Sequence, residues 1–305
     1  MSRVVMVDRF GGPEVLSLRS TPEPHAGPGE VRVHVRAIGL NPMDWMVAAS
    51  PRLAAAFGVS LPAGFAHDFA GTVDEVGDGS LGYTLGDRVF GSVPSRAAAD
   101  HLLIGAGDLV FRTPAAISDE IASTLPVAGL TAVAAVAAVR PGAGDTLLVG
   151  GAAGGVGVFA VQLARLRGAQ VLGTGSPSTE SFLRDLGAEP IAYGPGLEQR
   201  LAASGFAPVT AAIDLYGTEV VHAALELGVA PARIAAVAAG GAVPAGVRVT
   251  GAAGVEPGAM DTIVDALLTG RLRVPIAASF PIERIHDAVR LQATRHVHGK
   301  VVVTI

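Results

Sequence analysis

Hydrophobic and polar positions change their period near residue 115. Before that point apolar residues recur in short runs, Val4-Val-Met-Val7, Val31-Arg-Val-His-Val-Arg-Ala37 and Gly71-Thr-Val-Asp-Glu-Val76, and the middle run keeps a period of two. A period of two sends successive side chains to opposite faces and predicts half-buried strands. Gly11-Gly-Pro13, Pro22-Glu-Pro24, Gly27-Pro-Gly29 and Gly86-Asp87 punctuate these runs as turns. Only Met43 to Phe57 carries a helical period of useful length here. From Ser118 onward, apolar strand-like runs at Leu147–Val149, Gln170–Gly173, Ala212–Leu215, Arg233–Val237 and Val247–Gly251 alternate with helical segments. The latter include Glu180–Leu186, Val220–Leu227 and Asp261–Leu268. Such alternation predicts a doubly wound parallel sheet, an α/β architecture. Ile276–Phe280 and Gly299–Thr304 become strand-like again, so the chain's last residues are expected to rejoin the first, β-rich part.

One stretch carries explicit chemistry. Thr146-Leu-Leu-Val-Gly-Gly-Ala-Ala-Gly-Gly-Val-Gly-Val158 opens as a strand, passes through glycines and runs on as an amphipathic helix to Arg167, with Gly168 as its C-cap. Ala169–Thr174 is a second strand, which completes a βαβ unit. A tight turn that meets a helix N-terminus presents backbone N–H groups to a pyrophosphate. Ala153, Gly154, Gly155, Val156 and Gly157 are therefore the expected dinucleotide-binding turn, although Ala152 replaces the first glycine of the usual fingerprint. A site for NAD usually places a carboxylate about 20 residues further on, for the ribose 2′-hydroxyl. Here Gly173-Thr-Gly-Ser-Pro-Ser-Thr179 holds no acid before Glu180. That predicts NADPH, with Ser176 and Ser178 near the 2′-phosphate, Arg184 or Tyr193 assisting, and Thr174 among the cofactor-binding residues. Capping of the next helix is the competing use for the two serines.

Composition removes whole classes of function. The 305 residues contain no cysteine, which excludes disulfides, thiolate nucleophiles and cysteine-ligated zinc. A formal net charge of −5 gives no basic footprint for nucleic acid. Half of the residues are hydrophobic and 16% are charged, so the surface is sparsely charged and a subunit interface is expected. Lys300 is the only lysine and reads as a coding bias towards arginine. Ile121 to Val139 is apolar for nearly a membrane length, but Pro126, Gly129 and its alanines predict one buried helix instead. No secretory leader pattern precedes Val4. A soluble, cytoplasmic protein is expected, with no membrane or nucleic-acid partner.

Asn41-Pro-Met-Asp44, Ala66-His-Asp-Phe-Ala-Gly71, Gly86-Asp-Arg-Val89, Leu125-Pro-Val-Ala-Gly-Leu-Thr-Ala132, Ala152-Ala-Gly-Gly-Val-Gly157 and Gly299-Lys-Val301 occur in that order. Together they resemble the medium-chain dehydrogenase/reductase superfamily, in its zinc-independent quinone oxidoreductase branch. The resemblance implies a GroES-like catalytic domain from residues 1–117 and 272–305, with a Rossmann domain, 118–271, inserted. It also implies NADPH, a small-molecule quinone or α,β-unsaturated carbonyl as substrate, and a homodimer. Zinc-dependent relatives place a cysteine near position 41 and a later cysteine or aspartate; here only His67 remains, so no catalytic metal is expected. His67 is then a hydrogen-bonding residue or a group that polarises a substrate oxygen. By the same resemblance Asn41 and Thr131 lie beside nicotinamide and substrate, Tyr193 lies near the 2′-phosphate, and Met46 replaces a frequent lysine. Asp44 orients these groups or caps the helix that starts before Trp45, and Trp45 walls the pocket or packs. Tyr216 follows a strand of the parallel sheet, whose carboxyl ends face the ligand crevice, and is the expected proton donor for an enone. Two further functions remain open: a dedicated biosynthetic reductase of one intermediate, such as a polyketide, and a catalytically silent nucleotide-binding scaffold.

Overall fold

The structure is a computed structural model describing residues 1–305 apart from 80–81, 239–242 and 254. Gly254, within the Val243–Pro257 loop, thus lies outside the described residues. The chain forms two units, Met1–Val127 with Ile276–Ile305, and Ala128–Pro275.

The first unit is built on the strand Val31–Leu40. Val31, Val33 and Val35 are wholly buried, as a period of two requires. Beyond Arg36 the strand is covered on both faces, and Ala37, Ile38 and Leu40 all join the core, so it extends three residues past the alternating run. Asp68–Val76 pairs antiparallel along one side. On the other side His101–Ile104 pairs with its first half and Lys300–Thr304 with its second, Val303 opposite Ile38. The larger sheet runs Ile276–Pro281, Lys300–Thr304, Val31–Leu40, Asp68–Val76, Arg88–Ser92, Leu109–Arg112. Ser2–Val7 lies between Leu16–Thr21 and Ala63–Gly64 in a smaller one. The helical period expected over Met43–Phe57 is two helices, Pro42–Ala49 and Pro51–Ala56. Pro51 has no N–H to continue the first, and Ser50 Oγ accepts the Leu53 N–H to cap the second. The apolar stretch from Ile121 is likewise divided, into Asp119–Ala122 and Pro126–Val139, with Ser123 and Thr124 fully buried between them. Among the described residues no helix is long and apolar enough to cross a membrane.

The second unit is a parallel sheet whose strands run Glu189–Ala192, Gln170–Gly175, Thr146–Gly150, Ala211–Asp214, Ile234–Ala236, Arg248–Val249. In chain order that is 3-2-1-4-5-6, so the winding reverses between Thr146–Gly150 and Ala211–Asp214, where doubly wound sheets bind ligands. Every residue of Thr146–Gly150 is buried, as expected of a strand covered on both faces. Helix Ala259–Leu268 approaches helix Pro126–Val139 closely because Gly129 has no side chain; a Cβ there would lie 2.7 Å from Ile263 Cδ1.

The glycine turn leaves strand Thr146–Gly150 at Gly151, whose φ is +68°, and enters helix Gly157–Leu166. A Cβ on Gly157 would collide with the carbonyls of Gly151 and Ala152, the latter oxygen at 2.5 Å. Ala152 itself is fully buried and tolerated because the adjacent strand supplies Gly173, whose Cβ would stand 2.9 Å from that of Ala152. Overpacking a rigid backbone turn costs about 1–3 kcal/mol. Gly157→Ala should therefore lower the unfolding free energy by that amount, read as a lower denaturant midpoint at unchanged m-value, and weaken dinucleotide binding in calorimetry.

Candidate active site

In the second unit, the turn and the strand ends beside it gather the residues expected to hold a dinucleotide. The Gly154 N–H is already bonded to Gly151 O (3.0 Å), and the N–H groups of a helix's first turn have no intrahelical acceptor. Thr174 is buried and its hydroxyl accepts the Gly151 N–H (3.4 Å), so it braces the turn. Ser176 and Ser178 hydroxyls bond each other (2.9 Å), and neither caps a helix with its side chain. Gly175 pairs with Ala192, so Ser176 and Tyr193 each follow the end of one of two adjacent strands, and Tyr193 is 52% exposed. Arg184 is shared between Glu180 (3.3 Å) and Glu189 (3.9 Å), so its charge is already partnered. Asp214 is buried and accepts three N–H bonds, from Tyr216 (3.0 Å), Gly217 (2.8 Å) and Val220 (2.9 Å), fixing the turn that carries Tyr216. Tyr216 is exposed, and a Cβ on Gly151 would lie 3.4 Å from its own. Thr131 is buried on helix Pro126–Val139.

In the first unit, Asn41, Asp44, His67, Asp68 and Lys300 form one buried polar network. Asn41, and not Asp44, caps the helix Pro42–Ala49; Asp44 sits in its first turn and accepts the Asn41 N–H at 2.7 Å. The other Asp44 oxygen meets His67 Nδ1 at 2.6 Å. Asn41 Nδ2 donates to Asp68 (2.8 Å) and to Gly39 O (3.3 Å), while its Oδ1 accepts from Lys300 Nζ (2.7 Å). Lys300 Nζ also donates to Leu40 O at 2.9 Å, and the Val127 N–H closes the network on Asp68 (3.1 Å). Both Asn41 amide hydrogens are thus committed, so Asn41 positions its neighbours. His67 Nε2 is the ring nitrogen without a partner among the described residues, and it is not fully enclosed.

Burial governs the charges. It pushes the Asp68 carboxyl up to about 7, although Lys300 and the Asn41 amide pull the other way and Asp44 repels it. Burial lowers the Lys300 ammonium, opposed by Asp68 and Asp44. Burial would also lower His67, but the hydrogen bond its Nδ1–H donates to Asp44, with the charges of Asp44 and Asp68, outweighs it and holds the imidazole above its ordinary value. The donor set does not fit a catalytic zinc. His67 is the one imidazole, Asp44 is spent on its Nδ1 and the Asn41 N–H, and a fully buried ammonium already brings positive charge to Asn41 and Asp68.

Sequence reasoning assigns no structural role to two members of this network. Asp68 follows His67 within Phe65–Ala70, and the lone lysine is a buried structural cation, not a trace of coding bias. The signal was present: every other cationic chain is arginine, and one lysine persists in Gly299-Lys-Val301. Lysine's compact ammonium suits acceptors converging at 2.7 and 2.9 Å, whereas a planar guanidinium does not. Beside the network, Trp45 packs partly buried on the core, and Arg295 contacts Met46 Sδ (3.5 Å) and lies 5.7 Å from the Trp45 ring centre.

Removing one partner of a buried charge pair costs about 3–5 kcal/mol, and replacing both costs less. Lys300→Met and Asp68→Asn should each destabilise, and the double variant should lose less than the sum, read from urea midpoints. The raised Asp68 carboxyl sets the sign with pH. Its protonated form is favoured by folding, so its contribution is complete below the unfolded value of 3.8 and is lost as pH rises through about 7. The stability gap between wild type and Asp68→Asn should shift across that window, to the detriment of wild type.

Comparison with known proteins agrees with this architecture. The family described as alcohol dehydrogenase GroES-like domain matches residues 27–110, and that described as zinc-binding dehydrogenase matches 186–303. The chain is similar to a quinone oxidoreductase of Pseudomonas aeruginosa, 36% identical over 196 residues, which is 63% of this chain and 59% of that protein. It thus spans under two thirds of the length of such curated relatives. The solved quinone oxidoreductase of Coxiella burnetii superimposes with a TM-score of 0.86 at 28% identity, over 100% of this chain and 99% of that one. A mycobacterial protein solved in complex with NADPH gives 0.84 at 25% identity, over the whole of both chains. A parallel sheet wound 3-2-1-4-5-6, a β-rich unit made from both chain ends and these matches place the chain in the medium-chain dehydrogenase/reductase superfamily, among relatives that are quinone oxidoreductases.

Proposed function

We propose that the protein is an NADPH-dependent oxidoreductase that reduces quinones or other α,β-unsaturated carbonyls without a catalytic zinc. The observation that carries this reading is the Gly151–Gly157 turn, set at the reversal of a parallel sheet and too tight for any side chain at Gly157. The missing Cβ at Gly157 and the N–H groups of the helix's first turn, which have no intrahelical acceptor, suit a diphosphate. Absence of a carboxylate over Gly173–Thr179, with Ser176, Ser178 and Tyr193 at neighbouring strand ends, supports a 2′-phosphate. The mycobacterial complex with NADPH points the same way. Arg184 joins only by releasing Glu180 or Glu189.

Bound NADPH supplies hydride, and the protein's task is to hold the acceptor and meet the negative charge that grows on its oxygen. His67 serves that charge: Asp44 fixes Nδ1, the raised imidazole stays cationic to higher pH, and Nε2 donates to the carbonyl oxygen. Asn41, Asp68 and Lys300 position that imidazole's partner helix. A quinone yields a stable oxyanion and asks little of the donor, whereas an enone needs its enolate stabilised and then protonated. Tyr216 and Thr131 are the other groups offered for the proton.

NADPH oxidation against a panel of quinones and enones tests the reading. Turnover should favour NADPH over NADH in kcat/KM, and kcat/KM should fall as pH rises through the His67 value. His67→Gln should flatten that limb and cost about 10²-fold with enones, but far less with quinones. Loss confined to Tyr216→Phe would move the donor role to Tyr216. Turnover of no simple quinone would favour a dedicated biosynthetic enzyme. Absence of calorimetric binding of either pyridine nucleotide by folded protein overturns the proposal.

A further inference from the structure

We infer that His34, Asp74 and His101 form a binding site for a divalent transition ion of the zinc type, on the polar face of the first unit's larger sheet. The three residues each bring one ligand atom within 4.8 Å of the other two. Their placement follows from strand pairing. His34 and His101 are directly opposed in the antiparallel pair formed by Val31–Leu40 and His101–Ile104, and their rings stack with centres 4.8 Å apart. Asp74 comes from the strand on the opposite side of Val31–Leu40. The register there passes from Arg32 opposite Glu75 to Val33 opposite Val73, so Asp74 is the extra residue of a bulge. Bulges re-aim side chains, and this one puts the carboxylate beside the two imidazoles.

The spacing suits one ion. Ligands about 2.1 Å from a tetrahedral zinc stand about 3.4 Å from each other. His101 Nε2 and Asp74 Oδ2 are already 3.4 Å apart. The His34 ring makes no hydrogen bond to the described residues, so turning it towards the others breaks none. Two imidazoles and a carboxylate form a donor set that zinc and its neighbours in the first transition row prefer over calcium or magnesium.

The surroundings hold the carboxylate. Arg32, largely buried, grips Asp74 through Nε to Oδ1 (2.9 Å) and Nη2 to Oδ2 (3.2 Å), as second partners of ligating carboxylates do. The same guanidinium also meets Glu23 (3.0 Å) and Glu75 (2.8 Å), whose further partners are the Met1 ammonium (3.7 Å) and His25 (3.1 Å). Each Asp74 oxygen keeps a lone pair beyond the one given to Arg32. Arg36 is the nearby opposing charge on the His34 side, while Arg3 is matched by Asp100 and Glu283. An ion held by these ligands ties the central strand to both of its neighbours. None of the three residues belongs to the His67 network, and they lie 40 and 27 positions apart, so no ligand spacing announces them.

Titration of chelator-treated full-length protein with Zn2+ near neutral pH tests the site. Wild type should take up one Zn2+ per chain, and Zn2+ should raise its melting temperature. His34→Gln should weaken binding at least about tenfold and remove most of the melting shift, while His296→Gln, a control for the His296–His298 segment, should change neither. Co2+ in place of Zn2+ should give visible bands of a four-coordinate ion that His34→Gln and His101→Gln both abolish. Absence of a saturable site in wild type, or unaltered affinity in His34→Gln, overturns the inference. The His34 ring takes part in no hydrogen bond among the described residues, so the result for His34→Gln stands even where His101→Gln fails to fold.

Discussion

A single buried ammonium organises the first unit. Lys300 arrives on the strand that brings the chain's end back, and its Nζ bonds Leu40 O and the Asn41 side chain. Those bonds fix the point where the central strand ends and helix Pro42–Ala49 begins, and Asn41 passes the constraint to Asp68. Asp44 in the same helix then sets the ring of His67. Removing a charge from water is unfavourable in itself, so the network holds only while each donor has its acceptor. The arrangement therefore selects one geometry more than it adds stability, and the histidine's orientation is part of that geometry.

The second unit solves a different problem, how to bring backbone close to a charged ligand. It does so by subtraction. Gly157 clears the carbonyls of the turn, Gly173 clears room for Ala152, and Gly129 lets a neighbouring helix close on the first one. An alanine at the fingerprint's first position weakens the motif when read alone. In the fold it is compensated one strand away, at a position with no fixed sequence relation to the motif.

How far the sequence could be read depended on whether a residue's neighbours were local. The alternating run at Val31 and the strand–turn–helix around Gly154 are determined by their own periods, and both appear at the expected places. Pro51 and Pro126 cut the two long helical expectations into shorter helices, because the missing N–H outweighs apolar periodicity. Strand Glu189–Ala192 and helix Leu197–Ala203 are short, and their polar ends hide them. Helix Ile285–Ala293 was legible, since its buried Ile285, Ala288, Val289 and Gln292 follow helical spacing, yet it is absent from the expected elements. The polar network and the His34–Asp74–His101 group depend on strand pairing across tens to hundreds of residues, and no local period encodes them.

The solitary lysine has a practical side. Its amine is 2% exposed as a residue and hydrogen-bonded within the sheet, and no other side chain carries an amine. Amine-directed acylating reagents therefore find no side-chain amine on the folded surface, and their attachment at position 300 marks molecules in which the terminal strand has detached. The chain carries its own chemical reporter of opening, at the place where that strand closes the fold.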